Sequence, residues 1–242
     1  HATVTRYASR KCSTYGLVSD EWYALVHTPV PISRARRHEK GIAAAEKEWN
    51  KLEKDRKAWR LSTVREKQKV INEALRDGET VHFGDLMELC HIKHSELAEY
   101  LQSWKWRVVF RGDNVKDESG YLAVFSEQGT SSSNLSAAKF LDAIARLPGN
   151  SGQDADATGA YTQSVMKGNK TWIRLPRSRW PKEWVGKYKD PVVPIRANLY
   201  GHPIAGARWE EYCRNKLRDI GWQPVEDWPS VYFHPKTKAV LS

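Results

Sequence analysis

The sequence predicts an α+β fold in which a helical N-terminal half is followed by β-hairpins. Apolar residues recur at helical spacing between residues 41 and 77, whereas the runs at 106–111 and 121–125 are rich in valine and aromatic residues. The 242 residues include 11 Trp and 10 Tyr, far more than a disordered chain carries. The chain is therefore expected to fold around a substantial core.

The helices are predicted from apolar spacing and from residues that favour helix ends. Along 41–60, for example, Ile42, Ala45 and Trp49 fall on one face. Ser133 is a typical N-cap for the helix over 134–147. The face of that helix expected to be buried holds Leu135, Ala138, Leu141 and Ile144. The predicted helices cover 41–60, 63–77, 83–91, 95–104, 134–147 and 206–220.

The strand predictions rest on β-branched and aromatic runs that are bounded by turn residues. Residues 106–111 and 121–125 are expected to pair as one hairpin, and 231–234 with 239–242 as another. A further short strand is predicted at 172–175. The N-terminal segment 1–40 is expected to be extended and basic, since its closely spaced prolines disfavour a helix.

The charge of the chain points to polyanionic partners. Lys and Arg exceed Asp and Glu by 10 charges, and the isoelectric point is about 9.5. Such a balance is typical of proteins that bind nucleic acid, an anionic membrane or a ribonucleoprotein surface, although a soluble domain with a basic surface has the same composition. Three dispersed cysteines indicate a reducing, intracellular compartment, and no apolar run approaches the ~18 residues of a transmembrane helix.

Two motifs are expected to carry the chemistry. Residues 153–163 read Gln-Asp-Ala-Asp-Ala-Thr-Gly-Ala-Tyr-Thr-Gln, and we expect a strand that ends at Asp156, a turn of small residues, and then Tyr161. Residues 198–209 read Asn-Leu-Tyr-Gly-His-Pro-Ile-Ala-Gly-Ala-Arg-Trp and are expected to begin a helix that packs beside the first motif. An alternative stays open, because Asp154 and Asp156 are also typical turn residues that cap a helix over 157–166.

In this order and at this separation the two motifs resemble the reverse transcriptase of copia-type retrotransposons. Residues 46–59, 105–112 and 221–233 are also similar to segments of that family, so the resemblance spans about 40–242. It implies a reverse-transcriptase-like fingers and palm fragment, with a fingers-like region over 41–150 and a partial palm-like region over 151–242. Because the chain stops before a Tyr-x-Asp-Asp motif, we expect the parent to be an RNA-directed DNA polymerase and this chain alone to be inactive.

The resemblance also implies roles for single residues. Asp156 would be the first carboxylate for Mg²⁺, with the Ala157 backbone beside the metal or the triphosphate, and Tyr161 would lie under the incoming sugar. Arg107 and Arg111 would be cations near the triphosphate, a role that suits a bidentate guanidinium. A solvent-facing strand edge fits both arginines equally well. Polymerisation with two metals needs further carboxylates, and Asp156 is the one for which the motif provides a counterpart.

Basic and aromatic residues alternate between 177 and 184. Such a pattern predicts nucleic-acid binding, with bases stacked on Trp and phosphates held by the cations. The residues concerned are Arg177, Arg179, Trp180, Lys182 and Trp184. The edge of a Trp-containing core with snorkelling cations would show the same pattern. For the whole chain, a second hypothesis is a retroelement-derived non-catalytic subunit that binds RNA or protein in a larger assembly.

Overall fold

The protein has an α+β fold, as predicted, with helices and a mixed sheet in the same core. A computed structural model describes residues 27–125 and 135–242. Most of the N-terminal segment predicted to be extended, and the predicted N-cap Ser133, lie outside these residues. The described helices are α1 Ile32–Ala35, α2 Glu39–Asn50, α3 Lys67–Asp77, α4 Leu135–Ala145 and α5 Ala205–Asp219.

The strands form two sheets. In the larger sheet the order is β1-β3-β5-β6-β2, and β4 pairs with β3 as well. β3 runs parallel to β5 and antiparallel to β1 and β4. The smaller sheet has the order β7-β8-β9. The strands are β1 His27–Pro29, β2 Arg65–Glu66, β3 Val81–Lys93, β4 Ser103–Phe110, β5 Lys170–Arg174, β6 Pro191–Pro194, β7 Gln223–Pro224, β8 Tyr232–His234 and β9 Ala239–Leu241.

A long β3–β4 hairpin stands where the sequence predicts helices over 83–91 and 95–104, so both of these predictions are wrong. The apolar residues of 83–91 do fall at helical spacing. However, β3 pairs with β5 through its first five residues and with β4 through the following eight. These long-range pairings override the local helical pattern.

Two other predicted elements differ in extent. Residues 121–125 form no strand, and Leu122 makes only an isolated bridge to Lys116. The helix predicted over 41–60 stops at Asn50, where a π-helical turn, Lys51–Asp55, begins. Lys57 then takes a positive φ of 50°. This bend turns the chain away from the helix axis and places Trp59 in the core.

The main core lies between α2 and the sheet. α2 packs against β4, and buried residues from both join β5 and β6 in one apolar cluster. Trp59, Phe110, Ile173 and Leu199 are at most 1% exposed. Because these four residues come from distant parts of the chain, the core ties together segments on both sides of residue 150.

Helix α4 is less buried than the sequence predicts. Leu135 and Ala138 are exposed, Leu141 and Ile144 are half-buried, and Ala137 is the residue of this helix that is buried. The face predicted to be covered is therefore largely open in the described part of the protein. No helix in 27–125 or 135–242 combines the length and apolar character needed to cross a membrane.

Candidate functional site

The first motif forms an exposed turn and not the end of a strand. Residues 151–157 have no regular structure, and both Asp156 and Ala157 are exposed. The expected strand before Asp156 is therefore absent, and so is the alternative helix over 157–166. A short 3₁₀ turn, Tyr161–Gln163, follows instead. Gly159 has a φ of 64°, which explains a glycine at this bend.

Two cations, from the two ends of the π-helical turn after α2, lie beside this bend. The Arg56 Nη2 donates a hydrogen bond of 3.0 Å to the carbonyl oxygen of Thr158. A Cβ placed on Gly159 would lie 3.5 Å from Arg56 Nη2 and 3.6 Å from Lys51 Nζ. The first motif is thus held beside positive charge that comes from about 100 residues earlier in the chain.

Hydrogen bonds from the second motif hold the residues that directly follow the first motif. Asn198 is fully buried, and its Nδ2 donates to Ser164 Oγ at 2.9 Å and to the carbonyl oxygen of Val165 at 3.1 Å. The backbone N–H of Asn198 donates to the carbonyl oxygen of Ser164 at 3.0 Å. Helix α5 contacts the 161–163 turn, which confirms the prediction that a helix packs beside the first motif. The two motifs therefore form one structural unit.

Two of the predicted site residues, Arg107 and Tyr161, lie against the ring of Tyr200. Its ring centroid lies 4.6 Å from that of Tyr161, and the Arg107 Cζ lies 5.9 Å from the Tyr200 ring centroid. Burial raises the pKa of the Tyr200 hydroxyl, the Arg107 charge lowers it, and Tyr161 and Asp156 raise it further. Arg107 and Tyr161 thus contact the Tyr200 ring, and the exposed Asp156 acts on its hydroxyl through charge alone. We name Arg107, Asp156, Tyr161 and Tyr200 the Tyr200 site.

Strand β4 positions Arg107 by simple alternation. Trp106 and Val108 are buried against α2 and the sheet, so Arg107 between them points outward and is exposed. Lys105, one step along the same face, is exposed as well. Desolvation lowers the pKa of Lys105, and the nearby cations lower it further. Those cations are Lys93, Lys47, Arg107 and Lys51. This face of the hairpin is consequently basic and favours an anion.

Arg111 does not join the Tyr200 site. Its Nη2 lies 2.8 Å from Asp113 Oδ2, and its backbone N–H donates to the carbonyl oxygen of Asp85. The hydrogen bond to Asp113 raises the pKa of Arg111 and lowers that of Asp113. The Arg111 guanidinium is therefore engaged by the adjacent Asp113, and its role near a triphosphate stays a prediction.

The 177–184 segment is built mainly into the protein. Trp184 is 5% exposed, and the half-buried Trp180 donates its Nε1–H to the carbonyl oxygen of Leu175 at 2.9 Å. Arg179 pairs with Glu46 at 2.8 Å and lies over the Trp49 ring. The predicted stacking of bases on Trp184 is therefore corrected, since its indole is covered by the core. Arg177 and Lys182 stay exposed.

Among the described residues, Asp156 is not part of a cluster of metal-binding side chains. Across 27–125 and 135–242, no three side chains of His, Cys, Asp or Glu lie close enough together to hold a metal ion. Asp190, directly before β6, accepts a hydrogen bond of 2.6 Å from Arg174 Nε. This hydrogen bond lowers the pKa of Asp190 and occupies its carboxylate. We therefore derive no metal-dependent step from this arrangement.

No protein-family model, curated protein or solved structure matches the chain. The arrangement of the site accordingly rests on its own geometry. That geometry includes residues to which the sequence assigned no role. Tyr200 and Asn198 lie inside the second motif, and this motif was the signal from which a role for them could have been predicted. Arg56 carried no signal, because its contact with Thr158 spans 102 positions of the chain.

Proposed function

We propose that the chain is the fingers and first palm region of an RNA-directed DNA polymerase of the copia type, and that the Tyr200 site binds a nucleoside triphosphate. One observation supports this most strongly. Arg107, Tyr161 and Tyr200 come from three separate segments that each resemble the family, and Arg107 and Tyr161 both lie against the Tyr200 ring. A shared site explains why the residues of these segments converge.

The chemistry of the site suits a nucleotide. Arg107 is exposed and has no ion pair in the described part of the chain, so its guanidinium is available to two phosphate oxygens. The half-buried rings of Tyr161 and Tyr200 offer an apolar surface beside this charge, on which a sugar or base can pack. Lys105 adds positive charge on the same face of β4. The arrangement therefore provides cations for phosphates next to a surface for the nucleoside.

Titration with a fluorescent deoxynucleoside triphosphate tests this proposal. Arg107→Ala is expected to weaken binding by about 10- to 150-fold, because a charge-assisted hydrogen bond contributes roughly 1.5–3 kcal/mol. Tyr161→Ala should weaken it as well, through lost packing. Arg218→Ala is the matched control, since it removes an exposed arginine near the end of α5. Equal affinities for Arg107→Ala and Arg218→Ala, or no binding by the unmodified chain, would overturn the proposal.

A second proposal is a non-catalytic subunit of a larger assembly. It is favoured by the open apolar surface of α4 and the residues after it, where Leu135 is 69% exposed and Phe140 and Leu147 are each 56% exposed. Exposed apolar surface of this kind marks protein contacts. Native size analysis tests it. A stoichiometric partner that is lost on Leu135→Asn/Phe140→Asn would support this function, whereas a monodisperse monomer would contradict it.

A further inference from the structure

A cationic cleft lies beside the Tyr200 site and is separate from it. It has a volume of about 440 Å³ and runs between the bend after α2 and the paired segments 164–166 and 195–197. Four basic residues line it, namely Arg56, Lys57, Arg60 and Arg196. Of the described residues that form its wall, none is acidic. We name it the Arg196 cleft.

The four cations have no carboxylate partner among the described residues. This sets them apart from several other basic residues, such as Arg174 and Arg179, each of which pairs with an acidic side chain. Four positive charges around one cleft repel one another, and an anionic ligand relieves that repulsion. Arginine also matches the geometry of phosphate oxygens through its planar fork of donors. The cleft is therefore complementary to a ligand with more than one phosphate.

The walls of the cleft are fixed by the fold. The backbone N–H of Arg196 donates to the carbonyl oxygen of Ala58 at 2.7 Å, and its carbonyl oxygen accepts from Met166 N at 2.8 Å. Ala58 and Trp59 are at most 1% exposed, so the bend is anchored on its inner side. Lys57 adopts its positive φ between this anchor and Arg56. The cations consequently project from a rigid frame, which reduces the entropy cost of binding.

The residues that line the cleft favour a nucleic-acid strand over a free nucleotide as the ligand. Of the described residues that line the cleft, none is aromatic, so no ring is available to stack a base. Thr162 and Ser164 contribute hydroxyl groups, but both hydroxyls already donate inside the turn. A ligand held here is recognised by its phosphates, and its bases point elsewhere. That pattern is typical of contacts to a polynucleotide backbone.

We infer that the Arg196 cleft binds consecutive phosphates of a nucleic-acid strand, without base preference, and guides that strand to the Tyr200 site. The connection is Arg56, which lines the cleft and also donates to the Thr158 carbonyl oxygen in the first motif. This inference rests on the proposed nucleotide-binding function, because the strand would serve that site. The strand is a different ligand from the triphosphate, and the residues that hold it are different from those of the Tyr200 site.

Fluorescence anisotropy with a labelled single-stranded homopolymer, read over a series of salt concentrations, tests the inference. Arg60→Gln/Arg196→Gln should weaken binding of oligodeoxythymidylate and oligodeoxyadenylate alike. Counterion release gives a slope of about 0.7 per phosphate contact for single strands, so losing two contacts should flatten the slope by about 1.4. Lys69→Gln/Arg218→Gln is the matched control, because it removes two exposed cations that do not line the cleft.

A charge-preserving variant separates the cleft from a general effect of folding. Arg60→Lys/Arg196→Lys should keep the salt slope while the affinity falls only a few-fold, since the positive charges stay and the bidentate geometry is lost. Circular dichroism of each variant verifies that it is folded. An equal loss of slope in the control variant, or an unchanged slope in Arg60→Gln/Arg196→Gln, would overturn the inference.

The outcome also separates this inference from the proposed function. If the unmodified chain binds the triphosphate through Arg107 but binds no single strand even at low salt, the cleft inference fails and the proposed function stands. If it binds the strand through Arg60 and Arg196 while Arg107→Ala leaves triphosphate binding unchanged, the proposed site fails. The strand-binding role of the cleft itself would then still be supported by its own residues.

Discussion

His202 of the second motif is a neutral histidine in the core behind Tyr200. It is 4% exposed, and its ring lies 4.6 Å from that of Phe110. The Nδ1 accepts a hydrogen bond from the backbone N–H of Ile204, whereas the Nε2 has no partner among the described residues. Burial, with a smaller contribution from the charge of His82, lowers the pKa of His202 to about 4. The folded protein therefore disfavours the imidazolium form.

This burial makes stability depend on pH. Because the pKa in the folded state lies below the ordinary value of 6.5, the unfolded chain binds the proton first as the pH falls. The contribution of neutral His202 to the free energy of unfolding is thus fully present above about pH 6.5. It declines toward pH 4 by about 1.4 kcal/mol per pH unit at most. Urea unfolding at about pH 7 and about pH 5 measures it. His202→Gln should show a shallower decline, and an equal decline in both proteins would contradict this account.

At the scale of elements, β4 and the second motif approach each other closely. The backbone N–H of Phe110 donates to the carbonyl oxygen of Tyr200 at 2.7 Å, which joins the end of the strand to the Tyr200 site. A Cβ on Gly201 would lie 2.1 Å from the carbonyl oxygen of Phe110, and a Cβ on Gly112 would lie 2.2 Å from the carbonyl oxygen of Gly201. Glycine at both positions permits this contact.

Gly201→Ala should therefore destabilise the protein more than its backbone angle alone explains. Gly168 is the matched control, because its φ of 86° is close to the 88° of Gly201 and a Cβ there would meet open space. Gly168→Ala should cost about 1–2 kcal/mol for the left-handed conformation. Gly201→Ala should cost at least about 2 kcal/mol more, through the clash with Phe110. Chemical denaturation compares them, and equal losses would show that the contact is not tight.

The elements that the sequence predicted well are those with local signals. Helix α5 begins one residue before the predicted start at 206, and α3 ends at Asp77, just before the predicted stop at Gly78. The hairpin of β8 and β9 was predicted from its own turn and aromatic residues. In contrast, the sequence of β3 predicts a helix, because Phe83, Leu86 and Cys90 fall at helical spacing. The strands that pair with β3 come from other parts of the chain and leave no local signal.

The candidate site shows the same division between local and long-range information. Asp156, Tyr161 and Arg107 were singled out from motifs, and Tyr161 and Arg107 lie against the Tyr200 ring. The contact of Arg56 with Thr158 and the burial of Trp184 depend on which surfaces meet after folding. Composition could not reveal them, since exposed and buried Trp residues beside Arg have the same local sequence pattern.

At the scale of the whole molecule, the chain has an excess of 10 positive charges, and its cations fall into two groups. Some cations are neutralised by carboxylates, as Arg174 is by Asp190 and Arg179 is by Glu46. The basic face of β4 and the Arg196 cleft instead present cations around the first motif. We propose that these two surfaces hold the phosphates of the ligands, which would account for part of the net charge.

Hydrogen exchange with and without a nucleoside triphosphate tests the central claim most directly, because it locates the ligand on the chain without any substitution. We expect added protection in the 156–161 turn, in β4 around Arg107 and in the Tyr200–Gly201 segment. The exposed helix α4 should exchange at the same rate with and without the ligand, and it serves as the internal control. Protection confined to other segments would contradict the assignment of the Tyr200 site. No change in exchange at a ligand concentration that saturates the protein in the fluorescence titration would contradict it as well.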